Sequence, residues 1–126
     1  MELRLLSRAY SVCRLPAGSA APAPPRSAEL YGVTVTAEEV SIVCATGDEP
    51  PEARVESGWS ALRVAGELDF SLVGILSSLT APLAEAGVSV FALSTFDTDY
   101  LLVRTADLRR ASKALEARGH VISGAL

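Results

Sequence analysis

The segment STFDTDY, at residues 94–100, holds the side chains of this sequence that are best placed for chemistry. Asp97 and Asp99 are two residues apart, and a pair of carboxylates could share general acid and base work with His120, the only histidine. Two Asp residues at this spacing are also typical of a structural turn. Because no nucleophile motif or phosphate-binding loop accompanies them, we expect the chain not to be an enzyme.

The same segment suits the binding of a small zwitterion better than it suits a reaction. Asp99 could hold an ammonium group, while Ser94 and Thr95 could supply neutral hydrogen bonds. Phe96 could cover an apolar side chain of the ligand. The plainer interpretation, in which these residues only form a turn between two strands, stays open at this point.

A second segment, LDFSLVGI at residues 68–75, could hold the carboxylate of the same ligand. It is typical of a junction between a strand and a helix, and it places Leu72, Val73 and Gly74 in the first helical turn. Amides there have no helical partner and carry partial positive charge, so they suit an anion. Gly74 would let a ligand approach closely, or would serve only the contact between helix and sheet.

Both segments must be positioned by the second half of the chain, where the apolar pattern predicts strand, helix, strand, strand, helix and strand. These elements are expected at residues 59–65, 72–86, 88–94, 100–104, 107–118 and 121–122. Asp69 or Ser71 would cap the first helix, and Pro82 should kink it or remove one backbone bond. This order usually folds as a ferredoxin-like sandwich, in which the first and third strands are adjacent and antiparallel. The start of the helix would therefore lie beside the turn at residues 95–99.

The first half of the chain shows strand patterns without a convincing long helix. Candidate strands lie at residues 3–6, 10–15, 32–36 and 41–45. GVTV at residues 32–35 is similar to GVSV at residues 87–90, which suggests a faint internal repeat. We therefore predict an α+β fold of tandem ferredoxin-like units, a degenerate half at residues 1–56 and a complete βαββαβ unit at residues 57–126. Each would have an antiparallel sheet with helices on one face.

Composition narrows the classes of partner. A net charge of −4 argues against nucleic acid, which needs clustered Lys and Arg, and no apolar run is long enough to span a membrane. Cys13 and Cys44 lie in apolar stretches and resemble small buried hydrophobes rather than metal ligands, so we expect no metal and no cofactor. Without a visible signal peptide, the expected location is cytoplasmic. The richness in Ala, Leu and Arg is typical of a GC-rich bacterial genome.

Four stretches of the chain resemble the ACT-domain superfamily of regulatory modules that bind amino acids. These stretches are VCRLP at residues 12–16, EVSIVC at 39–44, LDFSLVGI at 68–75 and STFDTDYLLV at 94–103. The more specific resemblance is to small bacterial proteins that carry two ACT-like halves. That subgroup is similar to the arginine-sensing ACT proteins of animals and to the regulatory domains of aspartate kinases.

The resemblance implies an allosteric, non-catalytic domain that binds its ligand where ACT units meet. The candidate ligand-binding residues that it implies are Leu72, Val73, Gly74, Ile75, Ser94, Thr95, Phe96 and Asp99. The animal sensors have an acidic residue near the start of the helix, where this chain has apolar side chains, so we expect a neutral amino acid. We also expect a homodimer and a separate regulated protein as partner. The alternative is a ligand-free structural module that mediates dimerisation or partner binding.

Overall fold

The computed structural model describes residues 1–66 and 73–124, and in these two ranges it contains seven strands and two α-helices. The strands are β1 (Glu2–Pro16), β2 (Gly32–Val35), β3 (Glu39–Ala45), β4 (Arg54–Val64), β5 (Val90–Ser94), β6 (Asp99–Arg104) and β7 (Val121–Ser123). The helices are α1 (Ile75–Glu85) and α2 (Leu108–Glu116), the second preceded by a 3₁₀ turn at Thr105–Asp107. The βαββαβ order predicted for the second half is confirmed. β1 is one long strand where two short ones were predicted.

The chain divides into two compact units, which we call unit 1 and unit 2. Unit 1 consists of Met1–Ser7 and Trp59–Leu126, and unit 2 consists of Arg8–Gly58. The division after Gly58 lies two residues beyond the predicted boundary at residue 56, and the first seven residues of the chain join the second half rather than the first.

In unit 1 the strand order is β7-β1-β4-β6-β5. β4 and β6 are antiparallel, with Leu62 opposite Leu101, as predicted for the first and third strands of a βαββαβ unit. β7 is parallel to β1, with Ile122 opposite Leu3. The beginning of β1 therefore lies between the first and fourth strands of the βαββαβ order, an insertion that the local sequence pattern does not predict.

Both helices of unit 1 pack on the same face of its sheet. Strand residues two positions apart point to one side, and those on this side share a core with residues of both helices. The buried core combines residues from the strands, the helices and the connection after α1, and it consists of Leu3, Leu62, Val64, Leu79, Leu83, Val88, Leu101, Val103, Ala111 and Leu115. Each fully buried Leu contributes about 1.5–3 kcal/mol of transfer free energy. The predicted α+β class and ferredoxin-like arrangement are confirmed here. No helix in the described ranges is long and apolar enough to cross a membrane.

Unit 2 is a sheet without helices, since residues 8–58 are all described and none is in an α-helix. β2 and β3 form a hairpin, and β3 is antiparallel to β1. Its small core contains Val40 and Ile42 of β3 and the free thiols of Cys13 and Cys44. Unit 2 therefore lacks the helices of a complete ferredoxin-like unit, and the assignment of residues 1–56 to a degenerate half stays a prediction.

The two thiols of unit 2 are buried beside each other. Burial raises the pKa of both, and that of Cys44 reaches about 12 because its thiol also lies against Cys13 and donates a hydrogen bond to it. Such thiols are poor nucleophiles at neutral pH. The thiols therefore pack as small apolar groups. Within residues 1–66 and 73–124, no group of three His, Cys, Asp or Glu residues could hold a metal ion.

Candidate functional site

The turn that connects β5 and β6 is held by the backbone and side chain of one residue, Thr95. Its amide donates to the carbonyl oxygen of Thr98 at 2.8 Å, and its hydroxyl donates to the same oxygen at 3.1 Å. The Thr98 amide donates back to the Thr95 hydroxyl at 3.3 Å. The hydroxyl of Thr95 is therefore used inside the turn, so this predicted site residue shapes the hairpin.

Ser94 and Asp99 face each other where the strands of this hairpin end. They are directly opposite in the ladder, and the Ser94 hydroxyl donates to Oδ1 of Asp99 at 2.5 Å. No other partner of the half-buried Asp99 carboxylate occurs among the described residues, so Oδ2 can accept from a ligand. The structure therefore brings together two of the predicted site residues in an arrangement that suits a cationic group.

Thr98 is a residue of the site that the sequence reasoning missed. Its side chain is only 2% exposed, and its hydroxyl donates at 2.8 Å to the carbonyl oxygen of Val64, the last residue of β4. This bond fixes the turn against the end of β4, as the predicted strand order requires. Its sequence feature could have identified it: Thr98 is a β-branched residue with a hydrogen-bond donor, and it stands at the end of a turn next to a buried strand.

The first helix begins three residues later than predicted. Leu72 lies outside the described residues, as do Asp69 and Ser71, the two predicted capping residues. Val73 precedes the helix, and Gly74 is its N-cap, so Ile75 is the first helical residue. The unpaired amides of the first turn are therefore those of residues 74–77, a set that overlaps the predicted one only at Gly74.

The role of Gly74 follows from its backbone rather than from the space around it. Its φ is +76°, in the left-handed region that favours glycine, while an added Cβ would meet only the Ser77 hydroxyl at 3.9 Å. No side chain among the described residues caps the helix start, and its first turn contains no acidic residue. A negatively charged ligand group would therefore meet amides without a helical partner and no acidic residue within the first turn of the helix.

Two apolar side chains of the candidate site are unusually exposed. Val73, just before α1, is 90% exposed, and Phe96, at the tip of the turn, is 79% exposed. These are the two highest values among the large hydrophobic residues of the described ranges. Exposed apolar side chains at such a position suit contact with a ligand or partner.

The position of His120 does not support the hypothesis that it acts as a general base with Asp97 and Asp99. Nε2 of this buried ring lies 3.1 Å from the Ser78 carbonyl oxygen, and Nδ1 lies 2.9 Å from the amino nitrogen of Met1. Both ring nitrogens are engaged in contacts within unit 1. Asp97, the other candidate, is exposed within the turn between β5 and β6.

Comparison with known proteins places these features in context. The sequence model of the ACT domain matches residues 54–117. The crystal structure of protein Atu0741 from Agobacterium tumefaciens is 37% identical, with a TM-score of 0.88 over 97% of this chain and 91% of that one. Two more distant structures share the fold.

The ligand-free regulatory subunit of aspartate kinase from Thermus thermophilus has a TM-score of 0.60 and 9% identity, over 89% of this chain and 93% of that chain. Aspartokinase III from E. coli, solved with aspartate and ADP, has a TM-score of 0.63 and 14% identity. That match covers 93% of this chain and 33% of the enzyme chain.

Proposed function

The chain belongs to the ACT-domain family, and from that premise we propose that unit 1 binds a free amino acid and serves a regulatory, non-catalytic role. ACT domains are generally regulatory modules that bind small molecules. The finer proposal depends on one observation, the pairing of Ser94 with Asp99 at the end of the β5–β6 hairpin.

The ammonium end of the ligand would lie against Asp99. The Ser94 hydroxyl holds one carboxylate oxygen and would leave the other to accept from the ligand. Thr95 and Thr98 hold the turn in place before a ligand arrives, so little conformational entropy is lost on binding. A half-buried carboxylate accepts a charge-assisted hydrogen bond from an ammonium group more strongly than a fully exposed one.

The carboxylate end would lie at the start of α1. This helix crosses back over the sheet from the end of β4, and its side chains Leu79 and Leu83 are in the core with Val64 and Leu101. Its N-terminus is therefore at the end of the sheet where β4 finishes and β6 begins. The amides of residues 74–77 would bind the carboxylate, with Gly74 and Ile75 as the site residues that the sequence proposed.

The side chain of the ligand would be uncharged and apolar. Val73 and Phe96 are the exposed apolar groups next to the two polar ends. Leu72 remains part of the proposed site on the strength of the sequence alone. A cationic side chain such as that of arginine would need a second carboxylate facing it, and neither Val73 nor Phe96 offers one.

Regulation would follow from the preference of the ligand for one arrangement of an interface. We propose that the protein is a homodimer and that the bound state is read by a separate regulated protein. A cytoplasmic location is the natural setting for such a sensor of free amino acids.

A thermal-shift screen against the twenty amino acids tests the proposal. At one hundred times its dissociation constant a ligand adds about 2.7 kcal/mol to the free energy of unfolding, which raises the melting temperature by several degrees. Asp99→Asn keeps an acceptor for Ser94 and removes the charge, so it should abolish the shift. Asp97→Asn, a matched change two residues away, should keep it.

Two results would contradict the proposal in different ways. An unchanged shift in Asp99→Asn would remove this carboxylate from the site, although the protein would still bind an amino acid. If none of the twenty compounds raises the melting temperature at millimolar concentration, the chain is better described as a ligand-free interaction module.

A further inference from the structure

The two cysteines of the chain, Cys13 of β1 and Cys44 of β3, lie on the same face of the sheet in unit 2. β1 and β3 are antiparallel, with Cys13 opposite Ile42 and Cys44 opposite Ser11. Ile42 and Cys44 are two residues apart on one strand, so their side chains point to the same side, and that of Cys13 points there too. The two thiols are therefore diagonal neighbours, and they share a hydrogen bond.

The diagonal spacing favours a metal ion over a disulfide between these thiols. Diagonal positions on antiparallel strands have Cα atoms about 7–8 Å apart, whereas a disulfide usually needs about 4.4–6.8 Å. A disulfide here would therefore require the two strands to move together. An ion between the sulfur atoms adds two bonds of about 2.3 Å each, so the sulfurs need to be about 4–5 Å apart. Two thiols that share a hydrogen bond reach that separation by small rotations of their side chains.

The number of available ligands decides which ion suits the pair. Thiolates select soft metals, chiefly Cu(I), zinc and iron–sulfur clusters. Structural zinc sites use four protein ligands, and iron–sulfur clusters are also held by four. No group of three His, Cys, Asp or Glu residues that could hold a metal occurs within residues 1–66 and 73–124. Cu(I) remains, because two thiolates in a linear arrangement are enough to bind it.

The surroundings of the two thiols also suit a soft cation. Cys13 is 2% exposed and Cys44 is fully buried, and both lie in the apolar core with Ile42. Such a shell keeps water from the ion. The carboxylates of Asp48 and Glu49 are close enough to create a negative potential at the Cys44 sulfur. That potential opposes a bare thiolate and favours a bound cation.

We propose that Cys13 and Cys44 form a two-coordinate site for Cu(I) in unit 2. The ion forms one bond to each Sγ atom and displaces the two thiol protons, which pass to the solvent. No electron is transferred, because the copper enters and remains as Cu(I). Zinc-type spacing, whose absence from the sequence predicts no metal, is not needed by an ion with two ligands. The proposed amino-acid site uses residues of unit 1, so either proposal can fail without the other.

Anaerobic titration of the full chain with Cu(I), in competition with the chromogenic chelator bicinchoninate, tests the site. We expect one ion per chain and a melting temperature raised by several degrees, because the ion stabilises the folded state. Cys13→Ser and Cys44→Ser should each weaken Cu(I) binding at least about a hundredfold, since each removes one of two thiolates. Val43→Ser is the matched control. It places a hydroxyl at a buried position of β3 on the opposite face, keeps both thiols and should still bind one ion.

X-ray absorption at the copper edge of the wild-type complex gives a second readout that does not depend on how well the variants fold. We expect two sulfur neighbours and no nitrogen or oxygen at bonding distance. Three or more ligands, or one ion shared by two chains, would overturn the proposal. Unchanged Cu(I) binding in both cysteine variants, or no rise in the melting temperature of the wild type, would overturn it as well. An amino-acid thermal shift that persists in Cys44→Ser would show that the ligand site of unit 1 does not depend on the copper site.

Discussion

Nε2 of His120 donates a hydrogen bond to the carbonyl oxygen of Ser78, the carbonyl that Pro82 leaves without a helical partner. In an α-helix, residue 82 would donate its amide to residue 78, and proline has no amide hydrogen. A carbonyl can only accept, so Nε2 carries the proton and Nδ1 accepts from the Met1 amino group. A distant residue thus replaces the bond that the proline removes.

This compensation predicts that His120 and Pro82 are energetically coupled. His120→Ala should lower the free energy of unfolding by about 1–2 kcal/mol, because it removes the donor of a part-buried hydrogen bond to the Ser78 carbonyl. In a Pro82→Ala background the backbone amide can bond Ser78, so the same substitution should cost about 1 kcal/mol less. A double-mutant cycle by urea unfolding measures the difference. Equal costs in both backgrounds would show that the histidine stabilises the unit by packing alone.

Thr98 should contribute to stability far more than its place in a turn suggests. Thr98→Val preserves the shape of the side chain but removes the donor to the Val64 carbonyl, so we expect a loss of about 1–2 kcal/mol in unfolding free energy. Thr95→Val is the matched control at an exposed position and should cost less than about 1 kcal/mol. If the two losses are equal, the bond between turn and strand has no special role.

The turn and the end of β4 could be placed side by side from the sequence, because the βαββαβ order fixes the first and third strands as neighbours. That order brings the turn close to Val64, but the bond from Thr98 to the Val64 carbonyl is seen only in the structure. The helix start was predicted three residues early, since a glycine in an apolar run can be a helical residue or a left-handed cap. Only the φ of Gly74 distinguishes these two possibilities.

The pairing of β7 with β1 could not be predicted by local patterns. Leu3 and Ile122 are more than a hundred residues apart, and alternating apolar residues identify a strand without identifying its neighbour. The contact of His120 with Ser78 is equally non-local. The residue types of the candidate site and the order of the strands could therefore be predicted from the sequence. The hydrogen bonds that orient the side chains could not.

Unit 2 should lose stability in acid through one carboxylate. The Ser11 hydroxyl donates to Glu49 at 2.7 Å and lowers the pKa of that carboxyl below its ordinary value of 4.5. A carboxyl whose pKa is lower in the folded state than in the unfolded state stabilises the fold above pH 4.5. This stabilisation is lost as the pH falls through the pKa of the folded state. The difference in unfolding free energy between wild type and Ser11→Ala should therefore be largest above pH 5 and shrink toward pH 3, measured by urea unfolding.

Thr46→Val provides the control for this pH dependence. The Thr46 hydroxyl also contacts Ser11, at 3.2 Å, and its loss leaves the bond to Glu49 in place. Its effect on the unfolding free energy should be the same at pH 3 and pH 7. A difference for Ser11→Ala that does not change with pH would mean that the carboxylate bond does not alter the titration of Glu49.

The thiols of unit 2 should report its unfolding. With a pKa of about 12, Cys44 is ionised to about one part in ten thousand at pH 8, and its side chain is fully buried. A disulfide reagent should therefore label Cys13 and Cys44 at least about a thousandfold more slowly in the native protein than in denaturant. Val35→Cys adds an exposed thiol as an internal standard for the reagent, and that thiol should react at once. Fast labelling of all three thiols in the native state would mean that the core of unit 2 opens readily.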